Sequence, residues 1–159
     1  TLPNGVLKVP IKKDDKLTLS EYVIKKNGVP MGNNKALPLM LKRAFGAGSF
    51  GMFWSYWNPI WGYYLGRFIF KPLKHLFNPA IATLLTFGIS GLIHDLAVIL
   101  IKSKINFFFT PWFFLMGLMV IFNKTLKINY HKTTFWNRVL INASLIVGSF
   151  LITRYLKTF

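Results

Sequence analysis

Apolar and polar positions separate into blocks along this chain. Residues 1–35 are polar and basic and are broken by Pro3, Pro10, Gly28, Pro30 and Gly32. Leu17, Leu19, Val23 and Ile24 alternate only weakly with polar neighbours, which supports one short element; the rest is expected as short strands or coil outside a membrane. From Ala36 the chain turns apolar and aromatic, with Trp54, Tyr56, Trp57, Trp61, Tyr63 and Tyr64 close together. Belts of Trp and Tyr belong at a membrane–water interface. Asn58-Pro59 reads as an N-cap followed by a first-turn proline, which opens a helix over residues 59–71 that Pro72 should end. Helical periodicity puts Trp61, Tyr64 and Phe68 on one stripe and Arg67 and Lys71 about a quarter-turn away, as in a helix lying flat in the interface.

Asn78-Pro79 repeats the start signal, and residues 80–101 then hold only His94 and Asp95 as ionisable groups. Hydrocarbon about 30 Å thick needs about 20 helical residues. Residues 80–101 therefore make the strongest predicted span, followed by 105–122 and 139–156, the last ending with Arg154 placed to snorkel. The expected architecture is an all-α polytopic membrane protein: a basic extramembrane segment over 1–35, then a helical membrane domain over 36–159 with an interfacial helix and three crossings.

Composition sharpens this picture. The 159 residues are 53% hydrophobic and 17% aromatic, with 20 Lys plus Arg against 4 Asp plus Glu. That hydrophobic share excludes a disordered basic tail, and a 15% charged fraction that is nearly all positive argues against an ordinary soluble domain. Lys and Arg number 12 before residue 80, 2 between the first and second spans, 4 between the second and third, and 2 at the C-terminal end, where Arg154 closes the third span. By the positive-inside rule, residues 1–35 and the loop over 123–138 should share one face, and an integral multi-pass protein of a bacterial inner membrane or an organelle membrane is expected. The basic excess points to the lipid bilayer and its anionic lipids as partners; no nucleic-acid-binding motif is present, and nucleic acid is set aside. The chain opens without Met and without a signal-peptide pattern, so a processed product is expected.

Cysteine is absent, which removes thiolate metal sites and a Cys nucleophile, and with three histidines no metal site or resident cofactor is expected. Gly46-Ala47-Gly48-Ser49-Phe50-Gly51 fits G-x-G-x-x-G as a string, but the acid due about 20 residues later falls among basic residues, so a flexible bend is the reading. Two glycosylation-like triplets, at Asn123 and Asn142, are uninformative, the second lying inside a span. His94-Asp95 is the informative pair, because two ionisable groups inside an apolar helix are costly unless a site or a partner compensates. Neighbouring side chains point about 100° apart, so Asp95 does not readily orient His94, whereas Ser90 shares the His94 face. On residue chemistry alone, catalysis and structural bonding to other helices or subunits both remain open.

Phe53-Trp54-Ser55-Tyr56-Trp57-Asn58-Pro59, then Trp61, Tyr64-Leu65 and Phe70-Lys71-Pro72-Leu73, resemble the signature of the membrane-bound O-acyltransferase family, wax-synthase-like members included. Ser90-Gly91-Leu92-Ile93-His94-Asp95 resembles that family's S-x-x-x-H-[DE] segment, which bears its catalytic histidine. The resemblance covers about residues 53–100, and Lys71 stands where a small or aliphatic residue is usual. It implies acyl transfer from acyl-CoA, as co-substrate, to a hydroxyl acceptor. His94 would be general base and Asn58 its polar partner, with Ser90, Asp95 and Trp57 against the substrate. Family members enclose a tunnel with many more crossings than three. The resemblance therefore also admits a piece of a longer enzyme, a miniature that forms a homo-oligomer, or a noncatalytic accessory subunit packed against other membrane subunits.

Overall fold

The computed structural model describes residues 14–157, and its elements are helical throughout those residues. After a 3-10 turn at Asp14–Lys16 come α1 (Leu19–Asn27), α2 (Ala36–Phe45), α3 (Phe50–Tyr56) and α4 (Pro59–Tyr64). A π-helical stretch, Leu65–Phe70, joins α4 to α5 (Lys71–Leu76), and three long helices follow: α6 (Pro79–Lys102), α7 (Phe109–Thr125) and α8 (Phe135–Leu156). Of these, α6 and α8 are long and apolar enough to cross a bilayer. The expected all-α class holds for the described residues.

Two local expectations change. Residues 14–27 carry a helix, not a strand or coil. Thr18 caps α1 by accepting the Glu21 N–H at 3.3 Å, while the Glu21 carboxylate accepts the Thr18 N–H at 2.7 Å. This reciprocal box satisfies two donors that a short helix would otherwise leave open, and Gly28, at φ 85°, closes the far end. The earlier part of the 1–35 segment, residues 1–13, lies outside the described residues. The second change is at Pro72, where the helix runs on to Leu76. The π stretch bonds the Lys71 N–H to the Gly66 carbonyl, five residues back, and so widens the ladder just ahead of the proline. The missing donor and bulky ring are tolerated where the helix is already loosened.

α6 and α7 form an antiparallel hairpin. Gly91 faces Phe109 and Thr110, Gly88 faces Phe114, and Gly117 faces Phe87 and Leu84. At Gly91 a Cβ would sit 2.6 Å from the Phe109 carbonyl oxygen, so only glycine admits α7's first turn this close. Asp95, fully buried, fixes that turn. Its Oδ1 accepts the N–H groups of Phe108 and Phe109 at 2.9 and 2.7 Å; its Oδ2 accepts the Thr110 N–H and hydroxyl at 2.7 and 2.6 Å. α7 has no capping side chain of its own, so the carboxylate from α6 supplies the cap and meets the positive end of the helix dipole.

The bundle buries polar groups and shows apolar ones. Leu92, Leu96, Leu100 and Ile101 of α6 and Leu140, Val147 and Leu151 of α8 are exposed, whereas Ser90, Asp95, Asn142, Ser149 and Thr153 are buried. Ser149 accepts the Trp112 indole N–H at 3.0 Å, which ties α8 to α7. Asn142, with no exposed surface, donates to the carbonyls of Phe45 and Ala47 at 2.9 and 3.0 Å and accepts the Tyr130 hydroxyl at 2.6 Å. That one amide joins α8, the α2–α3 turn and the loop after α7. Burial pushes the Tyr130 hydroxyl up to about 12, so its neutral, donating form outlasts an ordinary tyrosine's as pH rises. The glycine string at 46–51 lies at this crossing. Gly48 accepts the Tyr130 N–H at 2.9 Å, and a Cβ on it would come within 2.7 Å of His131. An apolar core that includes Phe50, Phe53 and Met116, edged by Trp54 and Trp57, fills the space between α3 and α7.

Removing the Asp95 carboxylate orphans three half-buried N–H groups. Asp95→Ala should therefore cost about 2–4 kcal/mol, and Asp95→Asn, which keeps one carbonyl acceptor, should recover part of it. Thermal unfolding in detergent micelles, followed by helical circular dichroism, measures both; a parental midpoint for Asp95→Ala would show that the cap is dispensable.

Candidate functional site

A cavity of about 150 Å³ opens between α3, α4, α6 and α7, lined by Trp54, Trp57, Asn58, Trp61, Gly62, Leu65, Thr86, Phe87, Ser90, His94 and Phe113. Four of the five residues anticipated from sequence, His94, Asn58, Ser90 and Trp57, therefore share one space. Asp95 does not line it: all four hydrogen bonds to its carboxylate come from the α7 cap, on another side of α6. The geometry gives Asp95 a place in the scaffold in place of the expected contact with substrate.

His94 is held by its own helix and by rings. Its Nδ1 lies 2.6 Å from the Ser90 carbonyl oxygen one turn earlier. A carbonyl oxygen only accepts, so Nδ1 carries the shared proton, and in the neutral ring Nε2 keeps its lone pair. Phe113 and Phe109 tilt over the imidazole at centroid distances of 4.9 and 5.7 Å, and Trp61 meets it edge-on at 5.9 Å. Ser90 serves both neighbours, since its hydroxyl oxygen accepts the Trp61 indole N–H at 3.0 Å. This bond fastens α4 to α6 at the cavity wall.

Asn58 caps α4, its Oδ1 accepting the Trp61 N–H at 3.2 Å. Among the described residues no acceptor lies within hydrogen-bond distance of the side-chain Nδ2, and Asn58 lines the cavity. Its backbone sits at φ 42°, ψ 72°, in the left-handed region that side chains other than Gly, Asn and Asp avoid, and it precedes a proline, which narrows the choice further. Such a conformation costs about 1–3 kcal/mol and persists only where its surroundings impose it, and residues of this kind gather at functional sites. Phe53 and Trp57 stack at 5.5 Å just before it and set the direction from which the chain enters α4.

Two participants, Phe109 and Phe113, have no advance signal in the sequence, and a third, Trp54, stands only in the aromatic motif before Asn58. Phe109 and Phe113 come from α7 and reach the imidazole only because the hairpin folds back. Trp54 lines the cavity and keeps a buried indole N–H without an acceptor among the described residues. An unmet donor of this kind costs about 1–3 kcal/mol, a cost that an oxygen entering the cavity would relieve. No group of three or more His, Cys, Asp or Glu able to hold a metal ion occurs among the described residues.

The backbone at Asn58 separates two substitutions. Asn58→Gly keeps the left-handed conformation freely and should lose only a few tenths of a kcal/mol with the cap; Asn58→Ala loses cap and conformation together, about 1–2 kcal/mol. Equal melting temperatures for the two variants would mean that the left-handed backbone carries no strain.

No family model, curated protein or solved structure matches this chain.

Proposed function

We propose that the chain is a membrane-embedded acyltransferase that moves an acyl group from acyl-CoA to a hydroxyl acceptor, with His94 as general base. The supporting observation is the state in which the fold holds His94: Nδ1 bound to the Ser90 carbonyl, rings on three sides, and Asn58 on the same cavity. In this reading Nε2 takes the acceptor's proton as its oxygen attacks the thioester carbonyl. Charge gathers on the former carbonyl oxygen, where the Asn58 carboxamide donates. The carbon–sulfur bond then breaks, the imidazolium returns its proton to the leaving sulfur, and ester and free thiol depart. The apolar lining of Trp57, Phe87 and Phe113 keeps bulk water from competing for the acyl group. No resident cofactor enters the scheme.

The membrane setting belongs to the same proposal. α6 and α8 have the length and apolarity of spans, and the 17 residues of α7 reach the lower end of what a spanning helix needs. Only 22% of the best window of α6 and 17% of that of α8 is buried, unlike the core helix of a soluble protein, so their apolar faces are suited to lipid. Three crossings place residues 14–35 and the loop over 126–134 on one side and residues 103–108 on the other. The cysteine-free background makes this directly testable. Asn33→Cys and Lys132→Cys should react with an impermeant maleimide from the same side, and Lys104→Cys from the opposite side; labelling of all three from one side would overturn the topology.

One observation favours a second reading. The cavity, at about 150 Å³, is smaller than the roughly 300–1,000 Å³ of ordinary small-molecule sites, and an accessory subunit would keep such a remnant without turning anything over. His94→Ala separates the readings. Among the described residues no hydrogen bond links the ring to another helix, so the variant should insert and fold nearly as the parent does. Acyl transfer should fall about 10²- to 10⁴-fold. Asn58→Gly, which spares stability, should also slow the reaction. An undiminished rate in His94→Ala would discard the general base. A parent that transfers no acyl group, and that co-purifies in fixed ratio with other membrane polypeptides, would establish the subunit.

A further inference from the structure

A second and larger cleft, of about 540 Å³, lies along another side of the α4–π–α5 helix and is lined by Asp14, Tyr22, Gly62, Tyr63, Gly66, Arg67, Phe70, Lys71, Lys74 and His75. Arg67 from the π stretch and Lys71, Lys74 and His75 from α5 all line it, and all four are exposed. Arg67 is steered by Tyr63, whose hydroxyl accepts from the guanidinium and whose ring lies 5.1 Å from it. Among the described residues the one lining carboxylate belongs to Asp14 and is already occupied: Oδ1 lies 2.7 Å from Lys25 Nζ and Oδ2 3.3 Å from Lys26 Nζ. Burial works against the charged form of Asp14, yet the Lys25 and Lys26 ammonium groups hold its carboxyl below the usual range. The acid is therefore held by α1, and among the described lining residues cations outnumber carboxylates.

We infer that this cleft is a binding site for a phosphomonoester group. Three permanent cations with a fourth, titratable ring match an anion carrying between one and two charges, and a guanidinium beside two ammonium heads suits oxygen atoms spread over a tetrahedral centre. A phosphodiester, with a single charge and two blocked oxygens, uses fewer of these donors. Tyr22, Tyr63 and Phe70 give the cleft an apolar wall against which the substituent on the ester oxygen can lie. The same chemistry is offered by the headgroup of a lipid phosphomonoester or by a soluble phosphate. The inference concerns a different cavity from that of His94 and stands independently of the acyltransferase reading.

The full chain in detergent micelles is titrated with dioctanoyl phosphatidic acid, dioctanoyl phosphatidylglycerol and inorganic phosphate, with binding read by calorimetry. Phosphatidic acid should bind about tenfold more tightly than phosphatidylglycerol, a difference of one or two charge-assisted hydrogen bonds. The double variant Lys71→Gln/Lys74→Gln should erase that preference, while Lys124→Gln/Lys127→Gln, equal in charge but outside the cleft, should keep it. Gly66→Leu blocks the cleft without altering charge, since nothing lies within 4 Å of the position its Cβ would take, and it should abolish the preference as well. Competition by inorganic phosphate at similar concentration would identify a soluble phosphate as the source; phosphatidic acid binding unaffected by inorganic phosphate would identify a lipid headgroup. Equal affinity of the parent for the two lipids, or equal loss in the cleft and control pairs, would overturn the site.

Discussion

The fold depends on one carboxylate placed against one helix end. Beyond Glu21 the chain has a single acidic residue, Asp95, and all of its hydrogen-bonding capacity goes to the first turn of α7. An apolar hairpin can slide, because one leucine contact resembles the next. Four directional bonds to a buried charge cannot be re-formed one residue away. The clamp therefore sets the register of α6 against α7, and Gly91 lets the backbones meet at the separation the clamp requires. That register carries Phe109 and Phe113 to the imidazole of His94.

Adjacent positions divide two kinds of work. His94 and Asp95 raise the same question in sequence, since each is a costly group in an apolar helix and each could be a catalyst or a tie. The helix turns about 100° between them. Asp95 meets only donors from the first turn of α7; His94 bonds to its own helix and lies among the rings of Trp61 from α4 and Phe109 and Phe113 from α7. A ring tied to its own helix is oriented without being committed to another element. The two neighbours thus differ in what holds them: Asp95 is bound to a second helix, His94 to its own.

What the sequence conveyed was what local chemistry decides. Asn58-Pro59 and Asn78-Pro79 are caps, as the dipeptides suggest, because cap, proline and first turn lie within four residues. The long helices follow from apolar length, although α7 begins at Phe109 and not near residue 105 because the clamp, a contact between distant segments, decides where it starts. Pro72 misleads because its penalty assumes a regular ladder, and the π stretch ahead of it removes that assumption. The helix at Leu19–Asn27 shows too little periodicity to read; its capping box, Thr18 with Glu21, was the better signal. Asn142 illustrates the remaining limit. In the sequence it looks like an idle glycosylation triplet inside a span, and only the folded chain brings the Phe45 and Ala47 carbonyls and the Tyr130 hydroxyl to it.

The α4–π–α5 helix borders both cavities, one on each of two sides. Toward α6 it presents Trp61 and Leu65 to the His94 cavity; on another side it presents Arg67, Lys71 and Lys74 to the cationic cleft, and Gly62 borders both. A residue with a side chain at Gly62 would thicken the wall between the two spaces, so the thin partition is a property of the sequence at that position. The π stretch lies where the two sets of side chains must diverge, and widening the helix there rotates the basic residues relative to the aromatic ones. The Trp61–Ser90 bond then fixes this helix to the scaffold that Asp95 has set. The positions of the cationic cleft and of the imidazole are thus tied, through α4, to a single register.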